Sequence, residues 1–496
     1  MLPGLTDQTP TPSCNARRAE PVARRASGAW ARILGPVSHN VPRSLLFGAL
    51  VFVALFLGFR WNTWHVAGNE SFATAQKDTE ALVIGRLAAS RALGFFAKGG
   101  LLGLTGERPE LLTSDTDALW RYYDPAAQTE TYLTGTPFRS FGPYFSHSGL
   151  QGSTFAVLDR VLGFVEPATR LEIFFSLTAA LVAAVYATLV VVIRRELGTN
   201  AALFAFAVVL FSPWLTVLAR NLYFSLWLFW LPGLAIGVVL THCGGRRGEG
   251  AWLALVTFLG FLARFLSGYE YITESVALAA TPILYYSLRD RAGMRLLLSR
   301  TAIAGGAAAL ALALSLGILA LQIAQATGSA DRAWQHLEFA IARRAHGDPS
   351  RLPAIYGPAL QSKTSSVVLS YRADSFDRES QAKPAALRWL LARSHFDLIA
   401  LVTAAGLWIV ARRSSLPPAS RARALGLVAA TAITLAGVLA WLMIFKAHSF
   451  IHTHVNPLLW HLGFLLFGAA LVGFAIADAV RAAVRVTRIS AMRRGP

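Results

Sequence analysis

Four polar clusters interrupt an otherwise apolar chain of 496 residues, and the residue types in each suit a particular chemistry. The first is Lys77-Asp78-Thr79-Glu80, which opens a helical stretch over Ala81–Lys98. A carboxylate there can act as general base toward a hydroxyl acceptor. Read structurally, Asp78 is an N-cap and Glu80 a favourable first-turn charge. The stretch is moderately amphipathic, with Ile84, Leu87, Ala88 and Phe95 opposite Arg86 and Ser90, and predicts a helix lying on a membrane surface. The second cluster, Tyr144-Phe-Ser-His147-Ser-Gly149-Leu-Gln151-Gly152, suits a turn or a sugar-binding segment.

The third cluster pairs Arg220-Asn221-Leu222-Tyr223 with Arg264 and the stretch Gly268 to Glu274. Arg264 lies inside an apolar window, where an arginine costs about 2.5–3.5 kcal/mol on insertion scales and needs an interior partner or a ligand. It either recognises phosphate through bidentate contacts, or pairs with Glu270 or snorkels outward. The fourth, Lys446-Ala-His448-Ser-Phe-Ile-His452-Thr-His454-Val-Asn456, places three histidines within seven residues. Lys446 and the imidazoles suit a phosphate. His448 and His452, at i,i+4, also suit a metal, although a hard divalent ion would need Asp78 or Glu80 in addition. Interfacial packing is the third alternative.

The elements that must position these groups are membrane helices. Of all residues 54% are apolar and only 15% charged, with mean hydropathy +0.48, against roughly 25% charged in a soluble domain. Ten apolar windows are long enough to span a bilayer: 44–60, 171–193, 200–219, 222–241, 251–268, 275–288, 301–325, 396–411, 425–445 and 458–479. The predicted fold is an all-α polytopic membrane protein. A basic tail, 1–43, precedes the first span as a disordered segment. A large outer loop, 61–170, carries the surface helix. Spans two to seven occupy 171–325, a second outer loop 326–395, spans eight to ten 396–480, and a basic tail 481–496.

The connections alternate in charge. One set comprises the two tails, Arg194–Arg195, Arg246–Arg247, Arg289 to Arg300, and Arg412 to Arg423. It holds 23 arginines against six acids, which is +17 of the net charge of +19. Ten spans put this whole set on one side with both termini, and basic loops mark the cytoplasm. The charge therefore orients the chain and does not announce nucleic acid. Cys14 and Cys243 then face a reducing compartment. Trp61, Trp64, Trp214, Trp441 and Trp460 fall near outer span ends, as an interfacial belt. The second outer loop, with Arg343, Arg344, His346, Tyr371, Arg372 and Asp374, reads as a lid or acceptor-recognition element, helical over Ala333–Arg344. No Walker, GxGxxG or kinase signature is present.

Taken together, the acidic motif after the first span (Asp78, Glu80), the long first loop, Arg220 to Tyr223, Arg264 to Thr273 and Lys446 to Asn456 resemble the integral-membrane glycosyltransferases of the GT-C superfamily, over roughly residues 44–480, and bacterial multi-pass proteins of that layout. Two departures stand out: Thr79 separates the two acids, and ten spans are fewer than is common there. The resemblance implies a donor sugar on a polyprenyl phosphate, transferred on the outer face of a bacterial inner membrane to a cell-envelope acceptor. It implies Asp78 or Glu80 as base. Arg220, Asn221, Arg264, Glu270, Lys446, His448, His452 and His454 would surround the phosphate or substrate. No cofactor is required, with a divalent metal left open. An O-antigen polymerase or ligase would work from an Arg/His surface without Asp78, and a transporter or flippase would show inverted repeats, of which the sequence has none.

Overall fold

The computed structural model describes residues 41–112, 116–371 and 395–493. Leu46–Pro496 forms one compact unit and Met1–Leu45 another; of the latter only the opening of the first helix is described. The predicted tail 1–43 thus lies almost wholly outside the described residues, as do Arg372 and Asp374.

Six helices are long and apolar enough to cross a membrane: Arg43–Trp61, Pro167–Leu197, Glu249–Ser267, Met294–Thr327, Pro418–Ile444 and Phe464–Arg485. Three shorter apolar helices, Thr199–Leu210, Trp227–Cys243 and His395–Ala411, lie among them in sequence. The chain is therefore read as a multi-pass, all-α membrane protein. A helix satisfies its own backbone hydrogen bonds, which hydrocarbon demands, and the lipid-ready faces carry large apolar side chains such as Leu310 and Leu321.

Every apolar window falls largely on helix, but 222–241 opens in a turn before the helix starts at Trp227, and two others are broken. The window 200–219 divides into Thr199–Leu210 and Pro213–Leu218. Pro213 lacks the N–H that would continue the first helix, and the Ser212 hydroxyl accepts from the Leu215 N–H at 3.0 Å as an N-cap. The window 458–479 divides at Gly463 into Leu458–Leu462 and Phe464–Arg493. A Cβ at Gly463 would meet Leu278 at 2.6 Å and the Glu274 carboxylate at 2.8 Å, so the backbone approaches too closely for a side chain.

The arginine-rich turns come together. Glu196 accepts from Arg289 at 3.2 Å and lies 3.8 Å from Arg423, Arg300 pairs with Glu249 at 2.6 Å, and Arg412 lies 3.7 Å from Asp478. Each ion pair between two described residues joins two members of the arginine-rich set or two residues outside it.

The segment 61–170 is not an open loop but a packed layer. Its centre is the helix Lys77–Leu93, which packs on strand β1 (Gly103–Gly106) and on the helices Ala127–Thr134 and Leu150–Val161. β1 pairs antiparallel with β2 (Ser140–Pro143), Gly103 opposite Pro143 and Gly106 opposite Ser140. The expected surface helix is corrected here: Glu80 through Ala89 are all buried, Arg86 among them. Small residues allow this. A Cβ at Gly85 would stand 2.3 Å from the Gly103 carbonyl oxygen. Arg86 is neutralised by geometry, donating to the carbonyls of Ala97 (2.7 Å), Phe95 (2.6 Å) and Gly94 (3.1 Å) past the end of its helix. Gln322, near the end of Met294–Thr327, donates to Gly99 O (2.8 Å) and Ser148 O (3.2 Å) and ties that long helix to the layer.

The tryptophan belt holds only in part. Trp61 and Trp64 are exposed, whereas Trp441 and Trp460 are buried in the core, Trp460 stacked on His395 at 5.5 Å.

Candidate functional site

A cavity of about 170 Å³ is lined by residues from six segments. The start of the Lys77–Leu93 helix contributes Gln76, Asp78 and Thr79; the first layer adds Trp120 and Tyr144; the turn 221–226 adds Tyr223 and Phe224. The turn 268–271 supplies Glu270 and Tyr271, the helix Ala330–Arg344 supplies Arg343 and Arg344, and the turn after Pro418–Ile444 supplies His448, His452 and His454.

The two acids of the first motif have opposite fates. Glu80 is buried, with one oxygen 2.6 Å from Lys77 Nζ and the other accepting from the Leu222 N–H at 3.3 Å. It holds the helix to the neighbouring turn and offers no free oxygen pair. Asp78 is exposed, lies on the cavity wall and accepts from the Thr79 N–H at 2.8 Å. It is not the N-cap; that position is Gln76, in the left-handed conformation at φ 54°. Tyr271, which also lines the cavity, is left-handed too, at φ 56°. Such backbone is unfavourable for side-chain-bearing residues and is retained where the surroundings enforce it. Here it is braced: Asn221 donates to the Gln76 carbonyl at 3.3 Å, while its own Oδ1 accepts from Tyr223 N (2.9 Å) and Phe224 N (3.2 Å). Asn221 is thus the brace of the turn and does not line the cavity.

The expected phosphate cations are placed elsewhere. Arg220 donates to Phe72 O at 2.9 Å with its guanidinium over the Phe72 ring. Arg264 donates to Gly268 O at 2.7 Å, to Ser275 Oγ at 3.2 Å and to Glu270 O, and lies 3.8 Å over the Phe229 ring. Lys446 donates to Leu360 O (2.8 Å) and Ser362 O (2.7 Å). All three satisfy carbonyls at turns and chain ends, which is where orphan acceptors collect, and none lines the cavity.

The cavity's cations are Arg343 and Arg344, from the segment whose composition gave no diagnosis. Their helix starts at Ser329, whose hydroxyl accepts from the Arg332 N–H at 3.3 Å. Its buried positions are Ala333, His336, Ala340 and Arg343, a helical stripe that carries Arg343 inward. That stripe was the available signal. Arg343 donates to the Tyr356 hydroxyl at 3.2 Å. Arg344 has no hydrogen-bond or ion-pair partner among the described residues; burial, and then the like charge of Arg343, lower its pKa.

Glu270 accepts from the Tyr223 hydroxyl at 3.2 Å. Burial alone would raise its carboxyl; His147, Arg344 and Arg264 outweigh this and hold it below the ordinary value. The histidines stack: the His448 and His452 ring centres are 4.3 Å apart, and those of His452 and His454 5.6 Å. Burial, with the cationic neighbours adding, holds His448 well below its ordinary value and His452 at about 4. Both are neutral at pH 7. Among the described residues no group of three or more His, Cys, Asp or Glu is placed to hold a metal ion.

Of the sequence-predicted residues, then, Asp78, Glu270, His448, His452 and His454 share one cavity, while Glu80, Arg220, Asn221, Arg264 and Lys446 support its frame. His147, from the second cluster, packs behind the wall at 5.2 Å from Tyr223. No protein-family profile, curated protein or solved structure matches this chain.

Proposed function

We propose that the chain is a membrane glycosyltransferase that takes a sugar from a polyprenyl-phosphate donor and passes it to a cell-envelope acceptor. In this reading the ten helical windows span a bacterial inner membrane, both termini are cytoplasmic and the cavity opens to the periplasm. The observation that carries the reading is Arg344: a guanidinium with no hydrogen-bond or ion-pair partner among the described residues, in a cavity that the exposed Asp78 carboxylate also lines.

The roles follow from charge. Asp78 takes the proton of the acceptor hydroxyl as its oxygen attacks the anomeric carbon. The bond from that carbon to the phosphate oxygen breaks, and its electron pair stays on the lipid phosphate. Arg344, with Arg343 beside it, sits where that negative charge grows; cations aimed at developing charge lower the barrier. The tyrosines of the wall offer apolar faces and hydroxyls to a sugar. The test is release of free polyprenyl phosphate from a polyprenyl-phosphate sugar by the chain in nanodiscs, in the presence of an envelope acceptor. Asp78→Asn abolishes it while leaving the protein folded; Asp78→Asn with normal transfer sinks the assignment.

The Arg/His wall also favours a second reading, an O-antigen polymerase or ligase type of enzyme. That chemistry has no need of Asp78, so the same variant separates the two.

A further inference from the structure

We propose that the cavity binds a phosphate- or sulfate-type oxyanion between the Arg343–Arg344 pair and the stacked His448–His452 pair, and that binding brings one proton onto those imidazoles. The inference takes from the reading above only that a phosphate group enters the cavity.

Three observations place the anion. Arg344 lacks a partner among the described residues. His448 Nδ1 is buried with no hydrogen-bond partner among the described residues. Both groups line the same cavity, with His452 stacked on His448 at 4.3 Å. A buried polar atom without a hydrogen bond is unfavourable, so a ligand that satisfies it gains affinity.

The charges that face the imidazoles decide the proton. Arg343 and Arg344 come from the Ala330–Arg344 helix, Asp78 from the Lys77–Leu93 helix and Glu270 from the turn 268–271; His454 follows His452 in its own segment. The phenols of Tyr144, Tyr223, Tyr271 and Tyr356 complete the walls. Burial, with the two guanidinium groups adding, keeps the imidazoles neutral. An oxyanion on Arg344 cancels that positive field and accepts from an imidazole N–H, and both effects favour the imidazolium. The shift is upward from about 4 for His452, so proton uptake accompanies binding where the pH lies between the free and the anion-bound values. By linkage, affinity rises as pH falls, by at most about tenfold per pH unit for one proton.

The experiment uses the full chain in nanodiscs and two anions whose charge is constant between about pH 5.5 and 7.5, the range in which an ordinary imidazole titrates. One is sulfate; the other is methyl farnesyl phosphate, a lipid-linked diester. Calorimetry in two buffers of different protonation heat counts the protons taken up. The expected result is close to one proton per anion, with binding several-fold tighter per pH unit on acidification. His452→Gln and His448→Gln, tested separately, bind with a flatter pH profile. Tighter binding of the diester identifies a lipid phosphate as the natural ligand; equal or tighter binding of sulfate identifies a soluble anion. Binding without proton uptake, absence of binding by both anions, or full proton uptake in both histidine variants overturns the proposal. Anion binding with proton uptake but no sugar transfer would overturn the glycosyltransferase reading alone.

Discussion

Arg264, which is buried, and Arg344, which is half-buried, are cations near the same cavity, yet opposite consequences are expected from removing them. Arg264 is 3% exposed and directs its donors to Gly268 O at 2.7 Å, Ser275 Oγ at 3.2 Å and Glu270 O. Each hydrogen bond from a charged donor contributes about 1.5–3 kcal/mol, and the contributions do not add. Breaking such a buried arrangement by removing one partner costs about 3–5 kcal/mol. Arg264→Gln should therefore lower the unfolding midpoint in detergent by roughly 5–10 °C. It also releases the Glu270 turn, so anion affinity falls as a secondary effect. Arg344→Gln removes a guanidinium that has no partner among the described residues and stands beside Arg343. Its midpoint should stay level or rise slightly, while binding of sulfate or of the phosphodiester is lost. The assay is thermal unfolding of both variants in parallel with anion titration. An Arg264→Gln protein that melts like the parent yet binds no anion would refute the division between frame and site.

Gly85→Ala should cost at least about 1–3 kcal/mol by overpacking, because the new Cβ would lie 2.3 Å from Gly103 O and 2.7 Å from Gln128 Oε1. Gly305→Ala, which meets nothing within 4 Å, serves as the control in the same unfolding measurement. Asp159 binds Arg91 at 2.7 Å, Arg170 at 2.9 Å and Tyr132 at 2.5 Å. Burial would raise its carboxyl, but these partners outweigh it and the pKa is lowered. Its contribution is present above the ordinary carboxylate range and lost as pH falls through the depressed value; Asp159→Asn removes it at every pH, by about 3–5 kcal/mol in denaturant or thermal titrations. His336 is pushed by burial, with Arg343 and Arg344 adding, to about 3. The unfolded chain therefore binds this proton first, and stability falls as pH drops from about 6.5 toward 3. His336→Phe should flatten that part of the profile; an unchanged acid limb would show that His336 is not its source.

The membrane helices were legible because bilayer crossing imposes a length and an apolarity that composition alone reveals. The breaks at Ser212–Pro213 and Gly463 were legible only in part. A serine before a proline is a helix-start signal, whereas the close approach at Gly463 depends on Leu278 and Glu274, which are distant in sequence. The carboxylate of the site was readable as one of two, since Asp78 and Glu80 are alike in type. Their separation came from a tertiary contact, the Leu222 N–H on Glu80. The expected cations lie outside the cavity lining for a physical reason. A sequence shows that Arg220, Arg264 and Lys446 sit at helix ends, but not that carbonyl oxygens at those ends saturate their donors. Arg343 and Arg344 gave the reverse impression: ordinary loop charges that a buried helical stripe turns inward.

The helix Met294–Thr327 has a further mechanical consequence. Its apolar stretch, 301–325, is roughly 38 Å long at 1.5 Å per residue, against a hydrocarbon thickness of roughly 30 Å. The surplus is accommodated by leaning in the bilayer. Gln322 pins the shaft to the Asp78-bearing layer, and Gly328, at φ +70°, joins the shaft to the arm that ends in Arg343 and Arg344. Shaft, arm and layer also share one apolar cluster through Leu101, Phe145, Leu319, Ile323 and Ala333. Any change of tilt imposed by the bilayer is therefore expected to reach the cavity: anion affinity should change as nanodisc lipids are lengthened, an effect that Gln322→Ala would blunt.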